Sequence, residues 1–147
     1  MTSAAAATGE WAILTAEGEA GQALFRLRTD RPEEADSADF RTSVRIQWPY
    51  AGDEVGFPGD EDQHWMNQFE DRTEDLNWSD GLSYLMLVTT GLNVKEWLFY
   101  TTDHEQFMQH LNEALRGLPR LPLEIAFIAD SEWEQWDSIR RHAERAR

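Results

Sequence analysis

Residues 84–101 read Tyr-Leu-Met-Leu-Val-Thr-Thr-Gly-Leu-Asn-Val-Lys-Glu-Trp-Leu-Phe-Tyr-Thr. Two runs rich in aliphatic, β-branched and aromatic residues flank Gly91-Leu92-Asn93. The stretch therefore predicts an antiparallel pair of strands, Tyr84–Thr90 and Val94–Thr101, joined by a tight turn. Neither strand has a polar side. Trp97 and Phe99 point one way and Leu98 and Tyr100 the other; by strict alternation Tyr84, Met86 and Val88 oppose Leu85 and Leu87. A sheet that is apolar on both faces needs a cover on both.

The flanking segments supply candidates for that cover. Downstream, Thr102-x-x-Glu105 reads as a capping box opening a helix with the stripe Phe107, Leu111, Ala114, Leu115 and Leu118, ended by Gly117 and Pro119. Leu121–Ile128 alternates as a strand with Leu123, Ile125 and Phe127 on one side, and Ser131-x-x-Glu134 opens a last helix carrying Trp133, Trp136, Ile139 and Ala143. Upstream, Asp60–Leu76 spaces Trp65, Phe69, Thr73 and Leu76 as a helix, with Asp60, Glu61 and Asp62 in its first turn, where the helix dipole favours negative charge. Ser79-Asp80-Gly81 closes it. Before it, Arg41–Trp48 alternates with Val44, Ile46 and Trp48 inward and ends at Pro49. Glu10–Glu17 and the Ala23, Phe25, Leu27 alternation form a hairpin around a turn at Gly18–Gly21, and Asp30–Asp39 is a polar loop.

This order predicts an α+β fold: a ferredoxin-like βαββαβ antiparallel sheet with an added N-terminal β-hairpin and a C-terminal helix. Such a core carries helices on one face only. The hairpin or the last helix is expected to cover the second face, the alternative being a partner or a homodimer formed through it. Residues 1–8 read as a disordered tail and 9–147 as a single α+β domain.

Composition narrows the function classes. The 147 residues include no Cys, which removes disulfides, thiolate metal sites and cysteine nucleophiles. Met1-Thr2-Ser3 and Ala4–Ala7 lack a basic start and a long apolar run, and no stretch approaches the ~18 apolar residues of a membrane span, so the chain is assigned to the cytoplasm without a membrane partner. The net charge of −15 repels nucleic-acid phosphates, and the aromatics are interleaved with acids rather than bases, which argues against nucleic acid. The charge is also uneven. Ala51–Asp80 holds ten acids against Arg72 alone, whereas the final ten residues carry Arg140, Arg141, Arg145 and Arg147 against Glu144.

No catalytic constellation emerges. His104 and His110 are six apart and face different ways on a helix, and His64 and His142 stand apart from any ligand spacing. Asp75–Gly81 has its glycine one residue late for a calcium loop and lacks the closing glutamate. No nucleophile elbow, phosphate loop or dinucleotide fingerprint occurs, so neither a cofactor nor a metal is expected. The reading that follows is a non-catalytic interaction or regulatory domain binding a basic protein surface through Asp60, Glu61, Asp62, Glu70, Asp71, Glu74 and Asp75. A contrasting reading is a small-ligand binder or hydrolase whose cleft lies beside Phe57 and is lined by Trp65 and Trp78, with His64 as base; a purely structural role in an assembly is a third.

Several pieces in order resemble the bacterial domain of unknown function family six hundred ninety-five. They are Glu10-Trp11, Ser43-Val44-Arg45-Ile46, Gly56-Phe57-Pro58 ahead of an acidic helix, Leu87–Gly91, Trp97–Thr101 and Asp130-Ser131-Glu132-Trp133-Glu134-Gln135-Trp136. The last piece is also similar to the ending of the RraB-type regulators of ribonuclease E, which implies a ferredoxin-like core and a protein that binds another protein. Gly59-Asp60-Glu61-Asp62 and the arginine-rich end depart from the pattern. The Asp130–Trp136 piece has a plain structural account as well: Asp130 or Ser131 caps a helix, acids sit in its first turn, and the two tryptophans pack it on the sheet.

Overall fold

The computed structural model describes residues 11–18, 21–32, 35, 39–54, 56–77 and 82–146. The expected tail over 1–8, residues 19 and 20 of the turn at Gly18–Gly21, part of the loop Asp30–Asp39, Trp78 and the Ser79-Asp80-Gly81 stop lie outside the described residues. In chain order the elements are β1 (Trp11–Gly18), β2 (Gly21–Arg28), β3 (Thr42–Pro49), α1 (Asp60–Thr73) continued by a 3-10 turn (Glu74–Asn77), β4 (Ser83–Gly91), β5 (Val94–Thr101), α2 (His104–Ala114), β6 (Glu124–Ala129) and α3 (Glu134–Ala146). The described residues thus make a mixed α+β fold with one six-stranded sheet, ordered β1-β2-β4-β5-β3-β6, antiparallel at every pairing.

The hairpin at 84–101 supplies two of the inner strands. Leu92 and Asn93 both hold positive φ, 54° and 68°, which a two-residue turn matched to strand twist requires. Gly91 is obligatory for a different reason: a Cβ there would meet the carbonyl oxygen of Gln22 at 2.3 Å and Cα of Ala23 at 2.7 Å. The β1–β2 hairpin therefore extends the sheet beside β4 and does not fold over its face.

Strict alternation fails in β4. Leu85 pairs with Phe99, yet Leu87 pairs with Leu98, so Met86 is the extra residue of a bulge. The slip changes which side chains share a face. Tyr84, Met86 and Leu87 pack with Leu98 and Tyr100 on one side, and Leu85 and Val88 join Trp97 and Phe99 on the other. Val88 thus lies opposite to the face that alternation gave it.

α1 and α2 cover the Trp97 side. Met66, Phe69, Phe107 and Leu111 are buried there against Val44, Ile46 and Trp48. α3 covers the other side, where Trp133, Trp136 and Ala143 pack on Leu27, Tyr84, Leu98 and Tyr100. β6 begins at Glu124 rather than Leu121, because Pro122 has no N–H for a ladder; Leu121 and Leu123 still pack on the α1/α2 side.

One predicted helix cap shifts, and the other settles on one of its two candidates. Asp103, not Thr102, caps α2, its carboxylate accepting from the backbone N–H groups of Glu105 and Gln106, while the Thr102 hydroxyl is turned to the carbonyl of Leu82. Asp130, not Ser131, accepts from the N–H groups of Glu134 and Gln135 at the start of α3. α1 ends at Thr73, whose hydroxyl bonds back to the carbonyl of Phe69; the chain tightens into the 3-10 turn before reaching Leu76.

Candidate functional site

An α-helix brings residues three and four apart onto one face. On α1 and the turn after it, this periodicity sets Asp60, His64, Asn67, Asp71 and Glu74 in a single exposed stripe, opposite buried Met66, Phe69 and Thr73. Glu61 is exposed beside it, and Asp53 and Glu54 are exposed on the preceding loop. Asp62 is half-buried, and Asp75 belongs to the 3-10 turn. Arg72, the single base of this segment, does not neutralise the stripe. It donates to the carbonyls of Ala114 and Arg116 at 3.2 and 2.8 Å, where the end of α2 attracts a cation.

Glu70 parts company with its neighbours. Its Oε2 accepts the Trp97 indole N–H at 2.9 Å and lies 3.3 Å from Lys95 Nζ and 3.5 Å from Arg26 Nη2. Lys95 is buried, its Nζ 5.4 Å from the centre of the Trp97 ring. This knot pins α1 to β2 and β5 and uses the carboxylate internally. Two cavities, of about 290 and 140 Å³, meet at Arg26 and Glu70 and form a groove between α1 and the β1–β2 hairpin. Asp71 and Glu74 rim it, while Ile13 and Leu24, 69% and 36% exposed, give the other end an apolar floor.

The cleft proposed beside Phe57 is closed more tightly. Asp53 and Phe57 bond each other twice, backbone to backbone at 2.8 Å and Phe57 N–H to the Asp53 carboxylate at 3.0 Å. Tyr50 donates to the carbonyl of Gly56 at 2.6 Å, and burial pushes its hydroxyl pKa up to about 12. Trp65 packs against the core, with the exposed His64 ring edge-on to it at 4.8 Å. Among the described residues no three His, Asp or Glu side chains converge as a metal site.

A second cluster gathers where α3 begins. The Tyr100 hydroxyl donates to Asp130 Oδ2 at 2.6 Å, and the side-chain amide of Gln135 bridges Asp130 and Ser43. Burial alone would raise the Asp130 carboxyl, but the hydrogen bonds from Tyr100, Gln135 and Glu134 outweigh it and hold the group below the usual carboxylate range. Burial, and then Asp130, push the Tyr100 hydroxyl strongly upward. Trp133 and Trp136 send their indole N–H groups to the carbonyls of Phe40 and Arg28 at 2.7 and 2.9 Å. Asp130 and the tryptophans were visible in the sequence as a cap and its packing; Arg26, Arg31 and Lys95 were not, because their partners lie far away along the chain.

Together these features define an α+β domain with two helices on one side of the sheet and one on the other, α1 bearing an acidic stripe that no base among the described residues pairs. The chain belongs to the family of unknown function DUF695, whose model matches residues 9–138. No curated protein matches it.

Proposed function

We propose that this chain is a non-catalytic interaction or regulatory domain that binds a basic surface of another protein through the outer face of α1. The observation that carries this reading is the exposed stripe of Asp60, Glu61, Asp71 and Glu74, whose neighbouring base is drawn away to α2. Asp62, half-buried, lies at its margin. Glu70 contributes little to recognition, since it is already paired with Lys95. The similarity of Asp130–Trp136 to the RraB-type regulators supports the same class. The domain works in the cytoplasm, and its partner is a protein rather than nucleic acid.

We also read β3-α1-β4-β5-α2-β6 as a ferredoxin-like unit to which the hairpin and α3 were added. Its support is that β6, β3, β5 and β4 are neighbours in this order within the sheet.

Attraction between exposed charges decays over a screening length of about 10 Å at 0.1 M salt and about 3 Å at 1 M. Affinity capture with the intact chain, at low and at high salt, is compared with a variant carrying Asp60→Asn, Glu61→Gln, Asp71→Asn and Glu74→Gln. Partners held at low salt should be released at high salt and by the variant. Capture that is indifferent to both changes refutes the acidic face as the binding surface.

A further inference from the structure

Neighbouring strands lie about 4.8 Å apart and a helix with its side chains is about 10–12 Å across, so one helix lying along a sheet covers about two strands. Among the described residues, the buried cluster on the α1/α2 side draws on β3, β4, β5 and β6 and takes nothing from β1 or β2. Two helices thus cover four strands, and about the width of one more helix is left over the β1–β2 hairpin. Pairing and alternation set what faces that space. Leu14 and Phe25 are paired and pack on the α3 side, which turns Ile13, Leu24 and Arg26 toward α1. Ile13 and Leu24 are diagonal neighbours there, 69% and 36% exposed.

The groove over the hairpin differs from side to side. Its floor is apolar at Ile13 and Leu24. Its inner wall is α1, where Glu70 is already matched by Lys95 and Arg26, while Asp71 and Glu74 stand exposed on the rim and pair with no base among the described residues. On the outer side β1 is the edge strand of the sheet. An occupant must bring apolar surface for the floor and positive charge on one flank only, the flank turned to α1. A base placed deeper would meet Arg26 and Lys95 and be repelled. The first ten residues of the chain contain no base and end in Glu10, so they do not match the rim. Two copies of the chain, each carrying −15, repel one another. Charge therefore points to a different, basic protein.

We propose that this groove docks one amphipathic helix of a partner protein, its apolar stripe on Ile13 and Leu24 and its lysines or arginines on the flank facing Asp71 and Glu74. The inference rests on the acidic face of α1 as a binding surface and adds the form of the partner and a second contact, the hairpin floor. Residues at i, i+3, i+4 and i+7 of the incoming helix supply the stripe, the pattern by which a helix enters a groove. Docked in this way, it continues the α1/α2 layer over the remaining two strands and takes the exposed Ile13 and Leu24 side chains out of water.

The test is a titration of the full chain with a synthetic peptide of about five helical turns, carrying a leucine stripe, lysines along one flank and glutamine elsewhere. A peptide of the same composition with its leucines and lysines scattered around the helix is the control. The striped peptide should gain helix by circular dichroism on binding and shift the backbone amide signals of Ile13, Leu24, Asp71 and Glu74 in the ¹⁵N-labelled chain. Ile13→Ser and Leu24→Ser change exposed side chains and should each weaken binding about tenfold. Asp71→Asn combined with Glu74→Gln should weaken it about fivefold at low salt. Binding of the striped peptide no tighter than the control overturns the helical partner, as do shifts confined to β1 without a gain of helix, which mark a strand added at the sheet edge. Loss in the Asp71/Glu74 variant with none in the serine variants overturns the groove and leaves the acidic face of α1 standing. Loss in the serine variants alone overturns the charged flank. A dimer of the free chain by light scattering, dissociated by Ile13→Ser, makes a second copy the occupant and overturns the partner.

Discussion

On one face of the sheet, α1 and α2 lie over Val44, Ile46, Trp48, Trp97 and Phe99; on the other, α3 lies over Leu27, Tyr84, Leu98 and Tyr100. The first face is held mainly by volume. Met66, Phe69, Phe107 and Leu111 are 0–1% exposed and carry no hydrogen-bonding group, and the Glu70 knot stands at the edge of their cluster. The second face is held by polar ends on aromatic bodies. Trp133, Trp136 and Tyr100 each bury a ring and also place a donor on a specific oxygen. The contrast teaches how one helix does the work of two. Apolar area attracts without direction, whereas directed bonds donated to the Asp130 carboxylate set where α3 starts and how it lies.

The comparison can be broken most severely at Trp133. Trp133→Ala removes a fully buried ring together with the donor to Phe40 and the platform between Tyr100 and Arg31, and should cost about 3–5 kcal/mol in urea unfolding. A loss below the range for ordinary cavity formation would mean that α3 is not anchored through this ring.

Asp130→Asn keeps the shape and removes the charge. Near neutral pH it should cost about 1–3 kcal/mol, because the hydroxyl of Tyr100 and the N–H groups of Glu134 and Gln135 lose a charged acceptor. The folded carboxyl lies below its ordinary value, so its contribution is complete above the unfolded pKa of about 4 and disappears as pH falls through the lower folded value. Urea midpoints measured from neutral pH downward should therefore converge for wild type and variant only below about pH 4. A gap unchanged by pH would remove the charge from the account of this face.

Ile46→Val marks the small end of the scale. Ile46 is 0% exposed on the α1/α2 face, and loss of one methylene there should cost about 0.5–1.5 kcal/mol, independent of pH. A pH-dependent cost would show that the first face also rests on titrating groups.

Elements whose pattern is written in consecutive residues were legible in advance. The Val44-Ile46-Trp48 alternation and the Phe107-Leu111 stripe are buried as their periodicity requires. Glu70 illustrates a partial signal. Successive helical residues are about 100° apart, which sets Glu70 beside Phe69 and Thr73 on the flank of the apolar face and Asp71 out in solvent. Read as charge alone, the two carboxylates look equivalent. The bulge at Met86 left no such trace, because every residue around it is apolar and either face would accept any of them.

What the sequence by itself determined is the local level: strands read at 41–48, 84–90 and 94–101, each within a residue of the observed bounds, helices after Gly59 and Thr102, an acidic segment from Asp53 to Asp80, and the absence of any thiol. These follow from period, turn chemistry and charge, which act between near neighbours. The tertiary structure decided that the hairpin extends the sheet, that α3 takes the second face, that Glu70 is spent on Lys95 and that Arg31 comes to rest on Trp133. Each of these joins residues at least 25 positions apart. Their pairing is set by which buried surfaces and charges satisfy one another in space, and no short-range pattern encodes it.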